Sequence, residues 1–209
     1  CAASRIRRMA REGEPLADMA VVYPQGSGYA PLLAEILPMY GISAYIAERR
    51  PASAHPLCRF VLSALRVVSG GFATPDVVEC VRAGFFQIET EAADALIAYA
   101  EGVDLRADGW KRPFTYLQSG DEAALTALNA SRAAVIDPLH ALAKALARAQ
   151  TADAIVRAVM RLLEDVQAFD RLDDMRRELM QAGLDVEAQD CAQVWNALME
   201  MLDQLHTLL

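Results

Sequence analysis

Asp18 to Pro56 reads DMAVVYPQGSGYAPLLAEILPMYGISAYIAERRPASAHP, and the order of patterns in it decides which fold to expect. Met19 to Tyr23 is short, continuous and apolar, as in a strand buried on both faces. Gln25-Gly26-Ser27-Gly28 supplies turn residues, with Ser27 suited to cap a helix. From Ser27 to Met39 the chain places Leu32, Leu33, Ile36 and Leu37 at helical spacing, and Ala44 to Ile46 reads as a returning strand. A strand, helix and strand of this length predict a right-handed crossover with parallel strands. Two strands do not make a stable sheet alone, so they must lean on helices or on other sheet neighbours.

Outward from this stretch the pattern is helical. Residues 2 to 12 form a short basic helix carrying Arg5, Arg8 and Arg11, closed by Gly13 and Pro15. Pro56 opens a helix bearing Leu57, Phe60, Val61, Leu65 and Val68, which Gly70-Gly71 ends. Thr74-Pro75-Asp76 marks another start, with Thr74 as N-cap. Further helices are expected at 76–83, 89–101, 121–149, 152–182 and 186–208, and Asp104 to Ser119 as an ordered loop. The expected fold class is therefore mainly α, with a small N-terminal βαβ unit over residues 1–53 and a multi-helix domain over 54–209.

The order of these features resembles the B subunit of the AddAB (RexAB) type helicase–nucleases. The likeness rests on the basic helix from Arg5 to Arg11, Asp18 to Val22, Tyr29, Tyr40 to Ile46, Arg50-Pro51 and His55-Pro56-Leu57. It continues through Leu96 to Tyr99, Gly102, Trp110, Arg132, Pro138-Leu139 and Gln193 to Asn196. What the resemblance implies is the opening of a second RecA-like motor domain followed by a helical insertion domain. It also implies a parent that binds ATP and magnesium, carries an iron–sulfur cluster, and processes broken DNA ends for repair and recombination beside an A subunit in the cytoplasm. The segment itself is expected to position DNA and to hold no catalytic, cofactor or metal residue. A start at Cys1, within a helical pattern, fits an excised piece of a longer protein. A different class stays open: a free-standing helical module for protein–protein interaction. The first reading requires about a thousand further residues of motor and nuclease.

Composition sets limits on both. The 209 residues carry a formal net charge of −8 and are 54% hydrophobic but 7% aromatic. That length can bury a real core. The acidic balance argues against a free-standing nucleic-acid binder, so any DNA contact must come from a local patch. No apolar run reaches the roughly 18 residues that a membrane-spanning helix needs.

Two cationic pairs are the candidates for DNA contact, Arg49-Arg50 and Lys111-Arg112, the second between Trp110 and Phe114. Loop cations beside aromatics can bind phosphate and stack on bases, whereas ordinary solvated surface pairs would do neither. Phe169-Asp170-Arg171-Leu172-Asp173-Asp174 is similar to a nuclease metal motif of the resembled family, but it lies in a helical pattern. Arg176, Arg177 and Glu178 beside it suit a solvated face with ion pairs. Cys1, Cys58, Cys80 and Cys191 are scattered and lack the closely spaced trio that the family's cluster uses, so they read as reduced packing residues. His55, His140 and His206 have no triad or ligand spacing. Pro24 stands where many relatives carry an Arg that meets the nucleotide. With no lysine in its glycine-rich turn to meet a phosphate, the isolated chain is expected not to bind ATP tightly. Calorimetry checks this, and micromolar affinity would refute it.

Overall fold

The computed structural model describes residues 2–24, 27–46, 52–117 and 120–208, with side chains through Leu205. The chain divides into two compact units, Cys1–Arg50 and Pro51–Leu209.

The first unit holds helices α1 (Ala2–Arg11) and α2 (Tyr29–Met39). Its buried centre is small: Ala3, Leu37 and Ile42, with Ile6, Leu33 and Ile36 packed against them. The expected βαβ arrangement is not formed, and no strand occurs among the described residues. Met19 has extended dihedrals, φ −98° and ψ 133°, so the local preference is present while the pairing is not. The reason lies in burial. Val22 is 94% and Tyr45 is 91% exposed, so neither apolar segment gains the two-sided cover that makes a parallel strand favourable. A lone pair of strands is marginal in water. The two segments instead line an open groove of about 1000 Å³ together with Ile6, Leu33 and Leu37.

The second unit is built of helices joined by turns and loops, with no strand among its described residues. Its helices are α3 (Pro56–Ser69), α4 (Thr74–Arg82), α5 (Thr90–Gly102), the short α6 (Ala107–Trp110), α7 (Glu122–Arg148), α8 (Ala152–Asp165), α9 (Ala168–Gln181) and α10 (Asp185–Leu208). Each long helix buries one stripe, as a 3.6-residue repeat requires. On α3 this is Leu57, Phe60, Val61, Ala64 and Val67; on α7 it is Leu128, Val135, Ile136, Leu139 and Leu142. Cys191, Val194, Leu198 and Leu202 form the stripe of α10. α7 packs against α8, α5 and α3, α10 packs against α9, α8 and α3, and α4 sits between α3 and α5. The Phe60 ring meets Phe85 at 5.2 Å and Phe86 at 5.3 Å, tying the turn after α4 to α3.

Three local expectations are corrected. The single helix over 152–182 is broken at Gln167, which takes φ +52°. The Gln87 amide donates to the Val166 carbonyl at 2.9 Å, satisfying a backbone group that the break leaves free. The α4 N-cap is Ala73 and not Thr74; the threonine hydroxyl is engaged elsewhere. The loop after α5 contains the helical turn α6.

His55 caps α3, its Nδ1 accepting from the Leu57 backbone N–H at 3.2 Å. Burial holds its pKa below the ordinary value near 6.5, with Asp190 opposing. A depressed histidine contributes stability that is complete above the unfolded pKa and is lost as pH falls through the folded one. Thermal stability should therefore fall from about pH 6.5 downward. His55→Asn, which keeps a good cap without a titrating group, should flatten that fall, as melts across this range would record.

Candidate nucleic-acid interface

Residues 104 to 117, outside the short α6, form an irregular segment of the larger unit that is anchored at several points. Thr74, freed from capping, donates its hydroxyl to the Leu105 carbonyl and accepts from Trp110 Nε1 at 3.0 Å. Trp110 is fully buried. Asn129 of α7 grips Phe114 on both sides: its Oδ1 accepts from the Phe114 N–H at 2.7 Å and its Nδ2 donates to the Phe114 carbonyl at 2.9 Å. Arg132, one turn further along α7, donates from Nη1 to the Trp110 carbonyl at 3.0 Å. The Tyr99 hydroxyl donates to the Tyr116 carbonyl at 2.9 Å. The segment is thus a rigid presentation surface, and fixed loops position binding residues well.

Lys111 and Arg112 are carried outward on it, both exposed. Lys111 Nζ lies 5.8 Å from the Phe72 ring centroid and 3.1 Å from Asp108 Oδ1. That carboxylate is 88% exposed, so the pair holds the lysine only weakly. Arg112 makes no hydrogen bond or ion pair with the described residues, and Tyr116 is 65% exposed nearby in sequence. Arg49 and Arg50, the other candidate pair, lie outside the described residues.

The acidic string near residue 170 is arranged for something other than metal binding. It belongs to α9, where Asp173 accepts from Arg176 at 2.8 Å and from Arg177 at 3.1 Å, and Asp174 pairs with Arg177 at 3.0 Å. The hydrogen bonds from Arg176 and then Arg177 hold the Asp173 carboxyl below its usual range. Its oxygens are committed to guanidinium groups. Among the described residues no group of three His, Cys, Asp or Glu is placed to share a metal ion. Cys80 is buried with its thiol pushed up to about 12, chiefly by burial, and Cys191 is buried while Cys58 is half-buried. These three cysteines do not come together in a set that fits an iron–sulfur cluster. No described helix is long and apolar enough to cross a membrane.

No family model matches the chain. Individual relatives do, along nearly its whole length. A protein of Streptococcus mutans is 30% identical over 99% of the chain, and one of Desulforamulus reducens is 27% identical over 98%. A third, from Bacillus subtilis, is 27% identical over 97%. All three are named as the B subunit of an ATP-dependent helicase/deoxyribonuclease. The chain is a homologue of that B subunit. It spans 19% of the length of each of these relatives. The resemblance drawn from the motif order therefore holds, although no strand pair forms where the motor-domain opening was expected.

Lys111 and Arg112 were legible in the sequence as a cationic pair, whereas the residues that fix their segment were not. Asn129 carried no signal, because an amide in a helical run reads as a solvated residue. Substituting Asn129→Ala leaves the buried Phe114 N–H and carbonyl unpaired, which costs about 1–3 kcal/mol. The expected outcome is a lower denaturation midpoint together with faster hydrogen exchange at the Phe114 amide, while the slope of the transition stays unchanged.

Proposed function

We infer that the chain is a DNA-positioning element of the B subunit of an ATP-dependent helicase/deoxyribonuclease, without catalytic residues of its own. The observation that carries this reading is the similarity to such B subunits over nearly the whole chain. The anchored segment that presents Lys111 and Arg112 supports it. The parent activity would be helicase and nuclease action on DNA ends, driven by ATP with magnesium and shared with an A subunit, in double-strand break repair and recombination in the cytoplasm. An iron–sulfur cluster, where the parent has one, would be held by residues outside this segment. In domain terms, residues 1–53 correspond to the opening of a motor domain and 54–209 to the helical insertion.

The mechanical role follows from the cations' setting. A DNA strand driven past a motor has to be held in register without being gripped too tightly to move. Exposed lysine and arginine side chains on a fixed segment supply attraction to phosphate that is independent of base sequence and is strongly screened by salt. The acidic balance of the chain keeps that attraction local. The segment would then steer duplex and contribute little standing affinity.

Duplex binding by the isolated chain should accordingly be weak at low salt and disappear toward about 150 mM, within the range of non-specific contacts. Charge reversal by Lys111→Glu with Arg112→Glu should abolish the low-salt binding, as fluorescence anisotropy would show. Sub-micromolar affinity at physiological salt, or binding indifferent to the double substitution, would refute this reading.

A further inference from the structure

α7 carries Arg132, Ile136, His140 and Lys144 at every fourth position, which brings them onto neighbouring turns of one face. Ile136 is buried as part of the core. The other three are cationic or can become so: Arg132 and His140 approach the Lys111 segment, and Lys144 lies one turn beyond His140 and acts on its charge. Arg132 bonds the carbonyl of Trp110, the residue before Lys111. The His140 ring lies 4.8 Å from the Phe72 ring, above which Lys111 sits at 5.8 Å. Phe72 is therefore a floor shared by a lysine from one element and a histidine from another.

Two features of this corner cost stability. Arg132 is only 9% exposed, makes no ion pair among the described residues, and its Nε has no hydrogen-bond partner. A buried guanidinium without a carboxylate is expensive. Phe72 takes φ +69°, a conformation that a bulky side chain adopts at a cost of about 1–3 kcal/mol. Of these two, the unpaired Arg132 charge is what a nearby anion would offset.

The geometry points to a binding site for one backbone phosphate of a nucleic-acid strand, formed by Lys111 and His140 beside Phe72, with Lys144 one turn beyond His140 on α7 and the Arg132 charge behind. This rests on the reading of the segment as a DNA contact, and it adds two residues from α7 and a dependence on protons. The groups acting on His140 are Lys144, Lys111 and Arg132, which with burial lower its pKa, and Asp137, which opposes them. Unliganded, the ring is thus neutral near pH 7. A phosphate favours the charged ring and draws its pKa up, so binding takes up a proton and tightens as pH falls. The opposing Asp108 contact to Lys111 is solvent-exposed and yields to a phosphate.

The test uses the 209-residue chain and a short duplex, at about pH 6 and about pH 7.5, on either side of the ordinary histidine value. The unsubstituted chain should bind more tightly at the lower pH. Lys144→Gln should reduce the slope of log affinity against log salt by about 1. His140→Gln should remove the pH dependence, while Arg177→Gln on α9, which deletes the same charge elsewhere, should do neither. If Lys111→Glu with Arg112→Glu abolishes binding but Lys144→Gln and His140→Gln leave slope and pH dependence intact, the phosphate site is overturned and the DNA-positioning role stands. No duplex binding at either pH overturns both. A parallel titration with inorganic phosphate follows the His140 ring resonance. If free phosphate shifts that resonance and duplex does not, the site takes small anions and the assignment to a nucleic-acid strand fails.

Discussion

Arg132 reaches from the middle of α7 to the Trp110 carbonyl, and the exposed surface of the larger unit depends on that bond and on the Asn129 pair beside it. A segment with little regular structure cannot satisfy its own backbone groups and would ordinarily be loose. Here one long helix supplies the missing partners from its side chains. α7 is already fixed by Val135, Ile136 and Leu139, all fully buried. The rigidity of the hydrophobic core is thereby passed to Lys111 and Arg112, which lie outside it.

The same helix joins the remaining parts. It packs on α5, whose Tyr99 hydroxyl holds the far end of the segment at Tyr116, and on α3, whose C-terminal turn leads to Phe72. The Phe72 N–H donates to the Val67 carbonyl at 2.8 Å, closing α3. A helix end, a helix middle and an anchored loop thus meet around one aromatic ring. What holds them there is the set of complementary stripes that the helices bury.

Helix positions in the larger unit were readable where a stripe repeats with the helical period: Leu57, Phe60 and Val61 on α3 announce their buried face. The start of α3 at Pro56 was equally legible, since a proline ring without an N–H loses nothing in the first helical turn. What failed were features decided by distant partners. Met19 to Tyr23 has strand composition, yet composition does not supply a neighbour to pair with. Thr74 looked like a cap because Pro75 follows it; a tryptophan indole and a carbonyl about thirty residues away claimed its hydroxyl instead. Gln167 gave no warning of a break, because glutamine seldom adopts a left-handed backbone and only the surrounding packing imposes it. The candidate site shows the same division: its cations were visible as a local pair, while the α7 residues that hold them belong to another element.

The net charge of −8 bears on direction as well as strength. Subtracting the local cations leaves the remainder of the molecule more negative than the whole, so a polyanion arriving at a random orientation meets repulsion over most of the surface. Within a screening distance of about 8 Å at physiological salt, an approach facing a local group of cations such as Lys111 and Arg112 would be favoured over one facing carboxylates. On the proposed DNA-positioning reading, the carboxylates spread over the other helices would act as a compass. They would reject misaligned encounters early and let a small cationic patch select an orientation that its own few charges could not enforce.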